Sequence, residues 1–168
     1  MSWLNTMFGT EKEHQELGEL FDLIQTLTGD RGEDNAKLIT GYAGLLGRVA
    51  YADTVITTEE ITQVKNILQK ESGLNVEDIA SIIKLITERK VEILTIEEFF
   101  YARMINEVCT PEQKLQLLKN MFEIAAADGN ICTQEENLIS QTAESLKISR
   151  KELTGLKRRF SSYLGTLK

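Results

Sequence analysis

Thr110-Pro111-Glu112-Gln113-Lys114-Leu115-Gln116-Leu117-Leu118-Lys119-Asn120-Met121-Phe122-Glu123-Ile124-Ala125-Ala126-Ala127-Asp128-Gly129-Asn130-Ile131 holds the start, body and stop of one helix in a single stretch. Thr110 is a capping residue, and the chain's single proline follows it at the first helical position, where a missing N–H costs nothing. Leu117, Leu118, Met121, Ile124 and Ala125 then recur at helical spacing. Gly129 supplies the left-handed conformation that ends many helices, and Ile131 turns the chain back to the core.

The same grammar extends in both directions. Leu17, Leu20, Phe21, Ile24 and Leu27 form one stripe of a helix from about Thr10, and Thr28-Gly29-Asp30-Arg31-Gly32 breaks it. A second helix runs from about Asp34 to Ala52. Thr57 with Glu60 reads as a capping box, in which a hydroxyl and a carboxylate satisfy each other's exposed amides. Asn75, Thr95, Thr133 and Ser149 mark further helix starts. No β-alternation of useful length interrupts the pattern, so the fold is predicted to be all-α, one domain of about eight helices.

Shifted by 75 residues, Ala52-Asp53-Thr54-Val55-Ile56 falls on Ala127-Asp128-Gly129-Asn130-Ile131, and Glu60 falls on Glu135. Tyr42, Ala43, Leu46, Val49 and Ala50 fall on Leu117, Leu118, Met121, Ile124 and Ala125. This register predicts a duplicated three-helix unit, residues 34–90 and 110–167, preceded by N-terminal helices over 1–33.

Charge narrows the partners. The chain carries a net charge of -7. Residues 1–84 hold 14 acidic and 7 basic side chains, residues 85–168 hold 12 of each, and the balance turns basic from Lys147 onward. An acidic chain of this kind is not expected to bind nucleic acid. The basic C-terminal helix is a solvated face or a contact for an acidic partner or lipid headgroups. Cys109 and Cys132 form no CxxC pair and read as free thiols of a reducing compartment. Met1–Gly9 lacks a signal-peptide pattern, while Trp3, Leu4, Met7 and Phe8 stand at helical spacing, for docking on the core or resting on a membrane surface. A cytoplasmic location is expected, with peripheral contact at the inner membrane as its extension.

Chemistry concentrates at the two Ala-Asp turns. Asp128, Gly129, Ile131 and Glu135 have the spacing of the last part of an EF-hand calcium loop. The earlier ligand positions would be Ile124 and Ala126, which carry no side-chain oxygen, so a complete EF-hand is excluded. An aspartate at a helix C-terminus is disfavoured by the macrodipole, typically by about 0.3–1 kcal/mol, and two such residues call for a reason. In one reading Asp53 and Asp128 accept bonds from turn amides while Glu60 and Glu135 cap the next helices. In the other, Asp53, Glu60, Asp128 and Glu135 coordinate a hard divalent cation; carboxylates without histidine suit calcium or magnesium better than zinc. Cys132 aligns with Thr57 and substitutes for a hydroxyl cap.

Ala-Asp-Gly-x-Ile-x-x-x-Glu after an apolar helix and before a capped one resembles the TerB-like family associated with bacterial tellurite resistance. It is also similar to the N-terminal domain of a membrane-anchored DnaJ-like co-chaperone. The resemblance covers about Asn35 to Phe160 and is strongest over Met121–Glu136. It implies an all-α fold, metal-binding acidic positions at Asp53, Glu60, Asp128 and Glu135, and a role in stress response with other proteins of a multi-protein system. Thr54 stands where the motif has glycine, and no J domain is present, since His14 is followed by Gln15 rather than His-Pro-Asp.

Gly41, Gly44 and Gly47 lack the lysine and hydroxyl of a phosphate loop and read as small residues for close helix packing. A lone histidine offers poor support for a catalytic triad. Phe99, Phe100, Tyr101, Ile96 and Ile105 read as core or as a homodimer face. The functional expectation is a non-enzymatic, TerB-like, tellurite-resistance-type protein with weak divalent-metal binding. The alternatives are a structural interaction module without metal and a metal-dependent hydrolase using the same carboxylates.

Overall fold

The computed structural model describes residues 11–29 and 31–165. Among them the chain is all-α: α1 (Glu11–Thr28), α2 (Glu33–Ala50), α3 (Thr58–Glu71), α4 (Val76–Glu88), α5 (Lys90–Thr95), α6 (Glu98–Val108), α7 (Pro111–Ala125), α8 (Thr133–Ser145) and α9 (Arg150–Arg159). The expected helix over Met1–Gly9 lies outside the described residues. No described helix is long and apolar enough to cross a membrane.

Side-chain caps set most boundaries. Thr57, Asn75, Thr110 and Ser149 each accept a bond from the backbone N–H three residues on. Cys132 caps α8 as its alignment with Thr57 predicts, its sulfur accepting from the Glu135 N–H at 3.5 Å, and Thr133 is the first helical residue. One boundary differs from expectation. α6 starts after Glu97 rather than at Thr95, without a side-chain cap. The reason is α5, a helix of under two turns that takes Thr95 into its own end.

α2 is the axis of the molecule. Thirteen of its residues between Ala36 and Ala50 are buried, on every side of the helix, and it touches α1 and each helix from α3 to α8. Its closest neighbour is α6. A methyl group at Gly41 would stand 2.6 Å from Ile105 Cδ1, and one at Gly44 would fall within the Tyr101 ring, so these glycines set how closely α2 and α6 approach. Phe100, Tyr101, Ile96 and Ile105 are core, whereas Phe99 is 40% exposed. His14 is half-buried, edge-on to Phe100 at 6.0 Å, rather than on an open acidic surface.

Arg48, in the last turn of α2, secures α5. Its Nη1 donates to the carbonyls of Leu94 (2.9 Å) and Ile96 (2.7 Å), and more distantly to Ile93 (3.5 Å). These are carbonyls that the end of a short helix leaves without amide partners. The Tyr101 hydroxyl adds a bond to Ile93 O at 3.2 Å. For the acidic turns, the decisive contact is that of α3 with α7. It sets the helix that follows the first turn against the helix that precedes the second.

Candidate functional site

Both turns use one set of hydrogen bonds. After α2, Ala52 N donates to Val49 O (3.1 Å), Thr54 N to Tyr51 O (2.9 Å) and Val55 N to Asp53 Oδ1 (3.1 Å). After α7, Ala127 N donates to Ile124 O (3.0 Å), Gly129 N to Ala126 O (3.0 Å) and Asn130 N to Asp128 Oδ1 (3.0 Å). Each aspartate thus holds the amide two residues on, the local bond that favours Asp in turns. The residue between them is left-handed in both, φ +76° at Thr54 and +94° at Gly129. Glycine takes that conformation freely; a β-branched threonine is strained there by about 1–2 kcal/mol.

Different neighbours brace the two turns. The strained first turn is held by Lys90, whose Nζ donates to Thr54 O at 2.9 Å while lying 4.5 Å from the Tyr51 ring centre. The second is clasped by the segment after α9: Ile131 N donates to Tyr163 O (2.6 Å) and Gly165 N to Ile131 O (3.1 Å), an isolated parallel bridge. Ile131 is buried by this arrangement. Neither brace was legible in the sequence, because each depends on a residue more than thirty positions away.

The glutamates behave as caps. Glu60 Oε2 accepts from the Thr57 N–H (2.6 Å) and hydroxyl (2.9 Å), and Glu135 Oε2 accepts from the Cys132 N–H (2.7 Å). In this position they are nearly removed from water, Glu60 2% and Glu135 4% exposed, whereas Asp53 and Asp128 are exposed. The local, structural role expected for all four carboxylates is therefore present in full.

The fold adds something the local pattern lacks: carboxylates of the two turns sense one another's charge. Burial raises the pKa of Glu60, the Thr57 bonds oppose this, and the negative charges of Asp53 and Asp128 raise it further. Burial likewise raises Glu135, against its Cys132 bonds, and the charges of Glu60 and Asp128 take part in bringing it to about 7. Glu60 is the link, sensed from both turns. The Cys132 thiol is also pushed up by burial, with the Glu135 charge contributing. Among the described residues no lysine or arginine shifts Glu60 or Glu135.

Such a donor set, four carboxylates with no imidazole, has the chemistry of a hard-cation site. Its geometry is open: among the described residues no group of three or more His, Cys, Asp or Glu side chains is arranged to hold a metal ion. One oxygen of each glutamate and one of each aspartate is engaged with the backbone. The residue types suit such an ion, but among the described residues they are not gathered into a metal-holding group.

The chain matches the family described as "Tellurite resistance protein TerB" over residues 40–158. No curated protein and no solved structure matches it. The matched span takes in α3 to α8, all but the last residue of α9, most of α2 and both acidic turns. With all-α architecture and well over half of the sequence covered, the chain belongs to the TerB family.

Proposed function

We infer that this TerB-family domain is a non-enzymatic component of a tellurite-resistance-type stress response, which binds a divalent cation weakly at Asp53, Glu60, Asp128 and Glu135 and works through contacts with other proteins. One observation supports the reading: Glu135 is pushed up to about 7, first by its burial and then, in smaller part, by the charges of Glu60 and Asp128 from the two turns. Like charges assembled without a compensating cation disfavour ionisation of one another, and a divalent ion relieves that repulsion. Calcium and magnesium are favoured over zinc by the all-oxygen donor set. Because each carboxylate already serves the backbone, binding competes with the turn's own hydrogen bonds and is expected to be weak. A doubled helical unit is part of the same proposal, supported by the three bonds that recur between Ala52 and Ala127 as starting points. A cytoplasmic setting accords with the absence of a membrane-crossing helix among the described residues.

Calorimetric titration with calcium, magnesium and zinc tests the reading on the wild type and on an Asp128→Ala/Glu135→Ala variant. The expected outcome is a calcium or magnesium heat that the variant loses. Equal heats from the two proteins would overturn the site and leave a structural interaction module. A hydrolase screen with added metal separates the enzymatic alternative, and silence is the expected result.

A further inference from the structure

An open cleft of about 480 Å³ lies between the beginning of α3 and the end of α7. Glu59 and Glu123 stand along it, Ala126 and Ala127 leave it room, and Phe160 and Tyr163 supply aromatic surface. Among the described residues no lysine or arginine lines it. The aromatic side is anchored: Phe160 stacks on the buried Phe122 with ring centres 5.2 Å apart and planes 14° from parallel, and Tyr163 follows at 6.3 Å. Glu59 is exposed, and Glu123 has a surface pair with Lys119 at 3.5 Å.

Thr58 and Glu59 follow the first acidic turn and Ala126 and Ala127 precede Asp128 in the second, so the cleft is lined from residues neighbouring both turns. Both charged side chains in its lining are acidic, Glu59 open to solvent and Glu123 shared with Lys119. Carboxylates attract a cationic head group, while an aromatic face accepts the alkyl stem of lysine or the plane of a guanidinium. Phosphate-bearing partners would be repelled.

We propose that this acidic, aromatic cleft is the docking surface for a lysine- or arginine-bearing segment of a partner protein. The proposal rests on the reading of the protein as one that works through protein contacts, and it names the chemistry of the contact. The cleft is a separate surface from the cation cluster, so each can fail alone.

The test is a fluorescence-anisotropy titration of the full chain with a labelled short peptide in which glycine alternates with arginine and lysine. A glutamate version of the same peptide is the control. Removing both cleft charges in Glu59→Gln/Glu123→Gln should weaken the basic probe about tenfold. Tyr163→Ala, which keeps the backbone bond to Ile131, should weaken it about threefold. Removing two charges from the exposed face of α4, in Glu77→Gln/Glu88→Gln, should leave binding within about twofold once salt screens the remote charges. Equal losses in the two double variants would overturn the proposal, since the probe would then be sensing net charge alone. Equal affinity for the glutamate peptide would do the same. So would sedimentation showing self-association that Glu59→Gln/Glu123→Gln abolishes, because a second copy would then occupy the cleft. If the basic peptide fails and calcium still binds, this inference falls and the cation reading stands; the reverse result separates them in the other direction.

Discussion

Glu135 is buried at the start of a helix whose cap is a sulfur atom, next to two other carboxylates, and its pKa rises to about 7 from an ordinary 4.5. Between those values the folded protein holds a proton that the unfolded chain has released. The stability this group contributes is therefore fully present below about 4.5 and is lost as pH rises through about 7. Glu60 and Glu98, raised for the same primary reason of burial, act in the same direction. The metal-free protein should accordingly unfold at higher urea at pH 5.5 than at pH 8. Glu135→Gln should flatten that dependence and raise the midpoint at pH 8. A glutamine can do the capping, as Gln113 does in the box that opens α7. The substitution keeps the backbone bond and deletes only the charge. An unchanged pH profile in urea titrations of the variant would show that the burden of burial lies elsewhere.

Between elements, the α2–α6 contact depends on what is missing from α2. Gly44 faces the Tyr101 ring with no room for a methyl group, while a methyl at Gly47 would meet Ile86 Cγ2 at 3.3 Å and Ile93 Cγ2 at 3.5 Å. Gly44→Ala should destabilise by about 1–3 kcal/mol through overpacking. Gly47→Ala should be close to neutral, because a small adjustment of two isoleucines is set against a helix-propensity gain of about 1 kcal/mol. Thermal or urea unfolding of the two variants measures the difference, and equal effects would remove the close-approach argument. Helices of this kind were readable where their ends carry chemistry: Thr57, Asn75, Thr110 and Ser149 each declare a start through a side-chain oxygen. α5 was not readable, since six residues hold no repeat of an apolar stripe and Arg89 gives it no side-chain cap. The glycine spacing in α2 disclosed small residues but not their partners; the arrival of Tyr101 and Ile105 explains why a methyl group at Gly41 or Gly44 forces a neighbour to shift.

For the molecule as a whole, the two similar turns were legible in the sequence, but the electrostatic influence of one turn's carboxylates on the other's was not. It arises because α3 packs against α7, a contact between segments that local periodicity treats as unrelated. The shared electrostatics of Glu60 and Glu135 is thus a property of the tertiary fold. So is the dependence of α5 on Arg48, whose one nitrogen serves the carbonyls of Leu94 and Ile96 and approaches that of Ile93. α5 has a single buried side chain, Ile93, and shows Val91 at 73% exposure, so little apolar burial retains it. The guanidinium therefore acts as a rivet, and pulling it out exposes a predictable point of entry. With Arg48→Met, trypsin should nick the chain at Arg89 or Lys90 about tenfold faster, the kinetic expression of losing charge-assisted bonds in a region that opens ahead of the core. The fragments would stay associated through α2 and α6 until denaturant parts them.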